Sequence, residues 1–215
     1  MSTSSPAEFA RQREEMVTHQ LKARGVHDQR VLAAMAEIPR EVFVPEDKRS
    51  EAYQDCPLPI GGDQTISQPY IVGLMTQLLE LRGNERVLEI GAGCGYQSAI
   101  LSRLAAEVCA LEINEELRQQ ASANLGKLDV TNVDLRRGNG AAPWPDGGTF
   151  DAILAACAPI TTPTALIDQL APGGRLVVPV GPSGGIQTLH RIHRLANGNL
   201  IDDQITQVRF VPMLG

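Results

Sequence analysis

Residues 87–96 read VLEIGAGCGY. An apolar run enters a turn built on Gly91, Gly93 and Gly95, and a helical pattern takes over from there. Glycine at such a turn accepts positive φ and lets the backbone come close to a ligand. Working outward, the same alternation recurs. VCALEI (108–113), VDLRRG (133–138), FDAILAAC (150–157) and GRLVVPVG (174–181) are short apolar runs, and helical candidates begin near Gly95, Asn114 and Thr162. Strands alternating with helices predict right-handed crossovers and a parallel sheet covered on both faces. Two last runs, around QTLHRIHRL and ITQVRFVPM, are separated by Asn197-Gly198, a hairpin signal, and should add an antiparallel edge. The expected class is therefore α/β, a mostly parallel doubly wound sheet.

Upstream, Phe9, Met16, Val17 and Leu21 recur at helical intervals over residues 7–24, and Gly25 supplies the stop. Asp28 can cap a second helix through Val31, Leu32 and Met35, which Pro39 ends. Residues 39–66, rich in proline and glycine, read as a long irregular connection, and loops of that length are usually functional. From Gln68 to Leu81 the helical pattern resumes. One domain over residues 1–215 is expected, with 1–66 as a helical extension and substrate-side loop and 67–215 as the ligand-binding core.

The chain has 215 residues, 43% hydrophobic and 20% charged, which suits a folded globular protein. A net charge of −6 offers no footprint for nucleic acid or an anionic membrane surface. No stretch approaches the roughly 20 apolar residues of a membrane span, and MSTSSPAEFA lacks the features of a secretory signal. A cytoplasmic location is the expectation. Cys56, Cys94, Cys109 and Cys157 are irregularly spaced and read as free thiols. His190 and His193 fall in a strand, where residues three apart face opposite ways, so a shared metal is not expected.

The glycine turn closes the first strand of the sheet at its carboxyl end, where open α/β sheets bind ligands. A dinucleotide fingerprint would place Gly or Ala at position 96, and Tyr96 stands there. The Gly-x-Gly-x-Gly form therefore favours S-adenosylmethionine over a nicotinamide cofactor. Glu112 ends the next strand, where a carboxylate can accept both ribose hydroxyls. The plainer reading of Glu112 is a solvated charge. Glu89, inside the first strand, needs a donor if buried; it either faces the cofactor or makes a structural hydrogen bond. In QTISQP, Thr65 and Ser67 precede a helix and can offer hydroxyls to a carboxylate, and the alternative is that Ser67 caps that helix.

Several segments together resemble the protein L-isoaspartate O-methyltransferases, which methylate the abnormal carboxyl of isoaspartyl residues. The most specific is LPIGGDQTISQPYIVGLM (58–75), joined by IPREVFVPEDKRSEAYQD (38–55), VLEIGAGCGYQSAIL (87–101), LIDQLAPGGRLVVPVGPSGGIQ (166–187) and the closing VRFVP (208–212). The resemblance implies a Rossmann-like methyltransferase fold, with Ser67 as the active-site residue over the transferring methyl beside Thr65 and Ile66. It also implies cofactor contacts from Gly91, Gly93, Glu112, Asn139 and Gly140, and with Gln64, Thr65, Ser67, Glu89 and Gly95 these make up the expected cofactor cradle. Asn139 stands where the family usually has an aspartate for the adenine amino group, and Leu214 where threonine is common. Isoaspartyl peptides and proteins are the implied partners, with a monomer expected over an oligomer. Two other readings share these motifs: a relative that methylates ordinary aspartate in a peptide natural product, and a binder of adenosylmethionine or isoaspartyl chains without turnover.

Overall fold

The computed structural model describes residues 5–214. The first four residues, part of the stretch read above against a secretory signal, and Gly215 lie outside the described residues. Helix α1 (Pro6–Glu15) starts at Ser5, whose hydroxyl accepts the Glu8 N–H at 3.2 Å. It runs on through a π-helical turn, Met16–Leu21, and a 3-10 turn, Lys22–Arg24, to Gly25 at φ +89°. The wider turn buries Met16, Val17 and Leu21 together. Helix α2 (Gln29–Glu37) is capped by Asp28, which accepts from the N–H groups of Arg30 and Val31, and ends with Ile38 extended ahead of Pro39.

The connection read as irregular holds more order than expected. Two 3-10 turns, Arg40–Val42 and Glu46–Glu51, lead into a hairpin of β1 (Leu58–Gly61) and β2 (Gln64–Ile66). Gly61 pairs with Gln64, leaving a two-residue loop, Gly62-Asp63, with φ of +58° and +56°. Positive φ at both central residues suits the tight hairpin turn that Gly-Asp can adopt. Strands of four and three residues are too short for alternation to reveal.

Helix α3 (Pro69–Leu78) then precedes a seven-stranded sheet. Its members are β3 (Arg86–Ile90), β4 (Glu107–Glu112), β5 (Val133–Arg137), β6 (Phe150–Ala155), β7 (Leu170–Val180), β8 (Gln187–Arg194) and β9 (Leu200–Val208), in the spatial order β5-β4-β3-β6-β7-β8-β9. The first five run parallel, and β8 and β9 add the antiparallel edge that Asn197-Gly198 predicts. Helices α4 (Tyr96–Ser102) and α5 (Glu115–Gly126) fill the first crossovers. The candidate near Thr162 is only a single turn, α6 (Thr164–Ile167), because Pro159 and Pro163 keep the preceding chain extended.

Alternate residues of the parallel strands enter opposite layers. Val87, Ala152 and Leu154 join a core that reaches Met16, Met35 and Met75 of the N-terminal helices, while Leu88, Ile90 and Ile153 join Trp144, Phe150 and Leu166 on the other face. The N-terminal segments thus form one layer of the fold. Among the described residues no helix is long and apolar enough to cross a membrane.

Candidate active site

Strand β4 lies on one side of β3 and β6 on the other, so chain direction across the sheet reverses at β3. Such a switch point opens a crevice beyond the carboxyl ends of the strands. A cavity lies there, walled by the turns after β3, β4, β5 and β6, with the β1–β2 hairpin and residues 211–214 as its other sides.

The glycine turn forms its floor. Gly91 and Ala92 donate their N–H groups to Leu111 O at 2.9 and 3.1 Å, which ties the turn to β4. Gly91 and Gly93 hold φ of +83° and +56°. A Cβ on Gly93 would sit 3.2 Å from Ile60 Cδ1 of the hairpin, so a side chain there would press the floor against the lid. Gly95 plays a different part. Its missing Cβ would meet the backbone of Ala121 at 3.3 Å, so it lets α4 press on α5 and does not line the cavity.

Glu112 is 5% exposed and lines the cavity at the end of β4. Its Oε2 accepts the Gly93 N–H at 2.8 Å and its Oε1 the Asn114 N–H at 2.9 Å. One carboxylate thus locks the glycine turn to the start of α5, with lone pairs left on both oxygens for a diol. This is not the solvated charge of the plainer reading. Apolar Ile90, Leu111 and Ile113 flank it, as a nucleoside face requires. Gly140 closes the wall after β5, where a Cβ would overlap Ile90 Cγ2 at 2.1 Å. These residues fit adenosylmethionine.

Besides Gly95, two more predicted residues, Glu89 and Asn139, stand off the cavity wall. Glu89 is fully buried on the opposite face of β3 from Leu88 and Ile90, where Ser98 Oγ of α4 donates to its Oε2 at 2.5 Å. Its Oε1 has no partner. Burial pushes its carboxyl up to about 7, with Ser98 opposing and Glu112 adding to the rise. The structural hydrogen bond expected as the rival reading is present. Asn139 turns its Oδ1 to the Ala141 N–H at 2.8 Å, while its neighbours Gly138 and Gly140 line the cavity.

On the far side, Gln64, Thr65 and Ser67 all line the cavity. The helix cap is Gln68, not Ser67, and it makes no side-chain cap bond; its amide donates to Asp55 instead. Among the described residues the Ser67 hydroxyl has no hydrogen-bond partner in the protein, so the capping alternative does not hold. Cys94 and Cys157 also face the cavity, but burial pushes their thiols up to about 11 and about 12, which makes them apolar lining rather than nucleophiles.

Two walls come from the substrate-side loop and the closing segment, which sequence reasoning marks as groove candidates without naming these residues. The hairpin brings Ile60 and Gly62, and the C-terminal residues 211–214 arrive because Ala158 N–H donates to Val211 O at 2.8 Å and Met213 N–H to Ala158 O at 2.9 Å. The Gly62-Asp63 pair between Ile60 and Ile66 could have revealed the first. Leu214, one of the two departures, lies on the second. Among the described residues no cluster of histidine, cysteine or acidic side chains could hold a metal; His190 Nδ1 instead pairs with Asp202 at 2.8 Å.

Glycine floor, diol-facing carboxylate and a bulky Tyr96 in place of the small dinucleotide residue put the chain in the class of S-adenosylmethionine-dependent methyltransferases. The model of the protein-L-isoaspartate(D-aspartate) O-methyltransferase family matches residues 11–215, and the chain belongs to that family. A protein-L-isoaspartate O-methyltransferase of Myxococcus xanthus is 53% identical over 197 residues, covering 91% of this chain and 93% of that one. A Rhodopseudomonas palustris protein-L-isoaspartate O-methyltransferase 1 is 50% identical over 207 residues, covering 96% and 84%. A solved protein-L-isoaspartate O-methyltransferase superposes with a TM-score of 0.84 at 29% identity, over 94% of this chain and 66% of the other.

Proposed function

We propose that this chain transfers the methyl group of S-adenosylmethionine to the free carboxyl of L-isoaspartyl residues in damaged proteins and peptides. It does so as a monomeric, single-domain enzyme of the cytoplasm. The observation that carries the reading is Ser67, whose hydroxyl has no hydrogen-bond partner among the described residues and which lines the same cavity as the glycine floor and Glu112.

The cofactor supplies an electrophilic methyl on a sulfonium. An isoaspartyl carboxylate, with a reference pKa of about 4, is already ionised at neutral pH and needs no base. The chain's task is to orient and to exclude water. Glu112 and the Gly91 to Gly95 turn hold the donor side, and Asn139 and Gly140 stand at its adenine end. Gln64 and Thr65 close over it, and Glu89 stiffens β3 and α4 beneath it. Ser67 donates its hydroxyl to the acceptor carboxylate, helped by the positive N-terminal end of α3. Holding the reactants in line can contribute roughly 7 to 11 kcal/mol. The apolar thiols of Cys94 and Cys157 keep the site dry.

The test is release of methanol, from labile methyl ester breakdown, after mixing the protein with S-adenosylmethionine and an isoaspartyl peptide. An aspartyl peptide of the same sequence should release none. Equal methanol from both would favour the aspartate-methylating alternative, and none from either the silent binder. Ser67→Ala should lower kcat/KM for the peptide roughly tenfold to a hundredfold, since a hydrogen bond to a charged group contributes about 1.5–3 kcal/mol. Calorimetric affinity for S-adenosylhomocysteine should stay within about twofold; equal loss in both would remove Ser67 from the acceptor side.

A further inference from the structure

Arg40 is 0% exposed, and among the described residues no carboxylate lies within ion-pair distance of it. Taking a guanidinium out of water without a counter-charge is expensive, and cationic groups so placed are rare. Its Nε donates to Ala52 O at 2.7 Å and its Nη2 to Ser67 O at 2.8 Å. Its Nη1 is buried without a partner, and its Cζ lies 5.0 Å from the centroid of the Tyr96 ring. Ser67 and Tyr96 both line the cavity. A buried charge without a counter-charge therefore stands directly behind the wall on which the acceptor is read to bind.

Packing does not demand a charge here. An apolar side chain of similar length would fill the space beside Phe43 and Tyr96 without the desolvation cost. What a guanidinium adds is a rigid planar fork that reaches two carbonyls at once. These belong to residues 12 and 27 positions further along the chain, so Arg40 joins the 3-10 segment to the point where β2 turns into α3. Holding Ser67 O fixes the backbone of a residue that lines the cavity, one position ahead of the helix cap Gln68. The positive charge also meets a need of the reaction. An acceptor carboxylate must shed water on entering, and a fixed cation behind the wall offsets that loss while the acceptor is anionic.

We infer that Arg40 is a positioning residue for the acceptor carboxylate: it fixes the Ser67 junction and lends its charge to the bound anion. This rests on the reading that Ser67 faces the acceptor. Methyl transfer neutralises the carboxylate, so the charge favours the bound acceptor over the ester product and should act on KM more than on kcat.

The experiment measures kcat and KM with an isoaspartyl peptide, calorimetric affinity for S-adenosylhomocysteine, and thermal melting, for Arg40→Met, Arg40→Lys and Met16→Ala. Met16 is a fully buried core residue of the same N-terminal layer and serves as the control for stability loss alone. Arg40→Met should raise the peptide KM at least tenfold, and Arg40→Lys, which keeps the charge but spans only one carbonyl, several-fold. Affinity for S-adenosylhomocysteine should stay within about twofold, and Met16→Ala should lower the melting temperature with KM unmoved. If Arg40→Met does not fold, Arg40→Lys is judged by its own expected rise. An unchanged peptide KM, an equal loss of S-adenosylhomocysteine affinity, or the same KM rise in Met16→Ala would each overturn the inference. A wild-type protein that methylates no isoaspartyl peptide would instead overturn the function on which it rests.

Discussion

A carboxylate with one hydrogen bond and no counter-charge, as Glu89 is, leaves a mark on stability. An unfolded glutamate titrates near 4.3, and Glu89 in the folded chain near about 7 because burial disfavours its charge. The folded state holds the proton more tightly, so the stabilising contribution is complete below the unfolded pKa and is lost as pH rises to about 7. It amounts to something on the order of 3 kcal/mol. Glu89→Gln, which can still accept from Ser98, should remove this slope. Melting the two proteins at about pH 5 and about pH 8 should show the variant gaining on the wild type at the higher pH; a constant difference would mean that Glu89 does not titrate there. Asn139 belongs to the same scale. Its Oδ1 already accepts from Ala141, and a neutral amide oxygen serves an adenine amino group less well than a carboxylate would. The difference is about 1 kcal/mol, so Asn139→Asp should tighten adenosylmethionine binding roughly fivefold by calorimetry with maximal rate little changed. Unchanged or weaker binding would take residue 139 off the adenine.

Two turns meet across the cavity at the scale of the elements, and they constrain each other. The β3–α4 turn and the β1–β2 hairpin come within side-chain distance at Gly93 and Ile60, while a Cβ on Gly62 would press to 2.7 Å from Asn114 Nδ2 at the head of α5. Gly93→Val would strain a left-handed backbone by about 1–2 kcal/mol, push Ile60 aside and disturb the N–H that Glu112 accepts. We expect a folded protein, by circular dichroism, that no longer binds S-adenosylhomocysteine in a calorimeter. Undiminished affinity would make the turn purely structural.

At the scale of the whole molecule, the sheet ends in a strand that no other described segment covers. Leu200 through Gln207 of β9 are all exposed, with Leu200, Ile201 and Ile205 apolar and Asp202 and Asp203 between them. Two such edges pairing antiparallel would bring these acids face to face, a known safeguard against edge-to-edge association. Replacing both aspartates by valine should produce larger species in sedimentation than the wild type forms, and a variant that sediments as the wild type does would assign that role elsewhere. The order of strands and helices, the antiparallel edge and the glycine turn with Glu112 were legible in one dimension, because periodicity and turn chemistry are local. So was Asp28 as a cap. The hairpin was hidden by strands of three and four residues, and the position of Ser67 relative to the helix start by a one-residue difference that only backbone angles decide. Which residues share the cavity wall, that Glu89 turns away from it, and that a buried Arg40 stands behind Ser67 depended on contacts between segments tens of residues apart. Sequence sets the elements through short-range preference; the pairing of distant backbones sets which side chains meet, and that is where the site was decided.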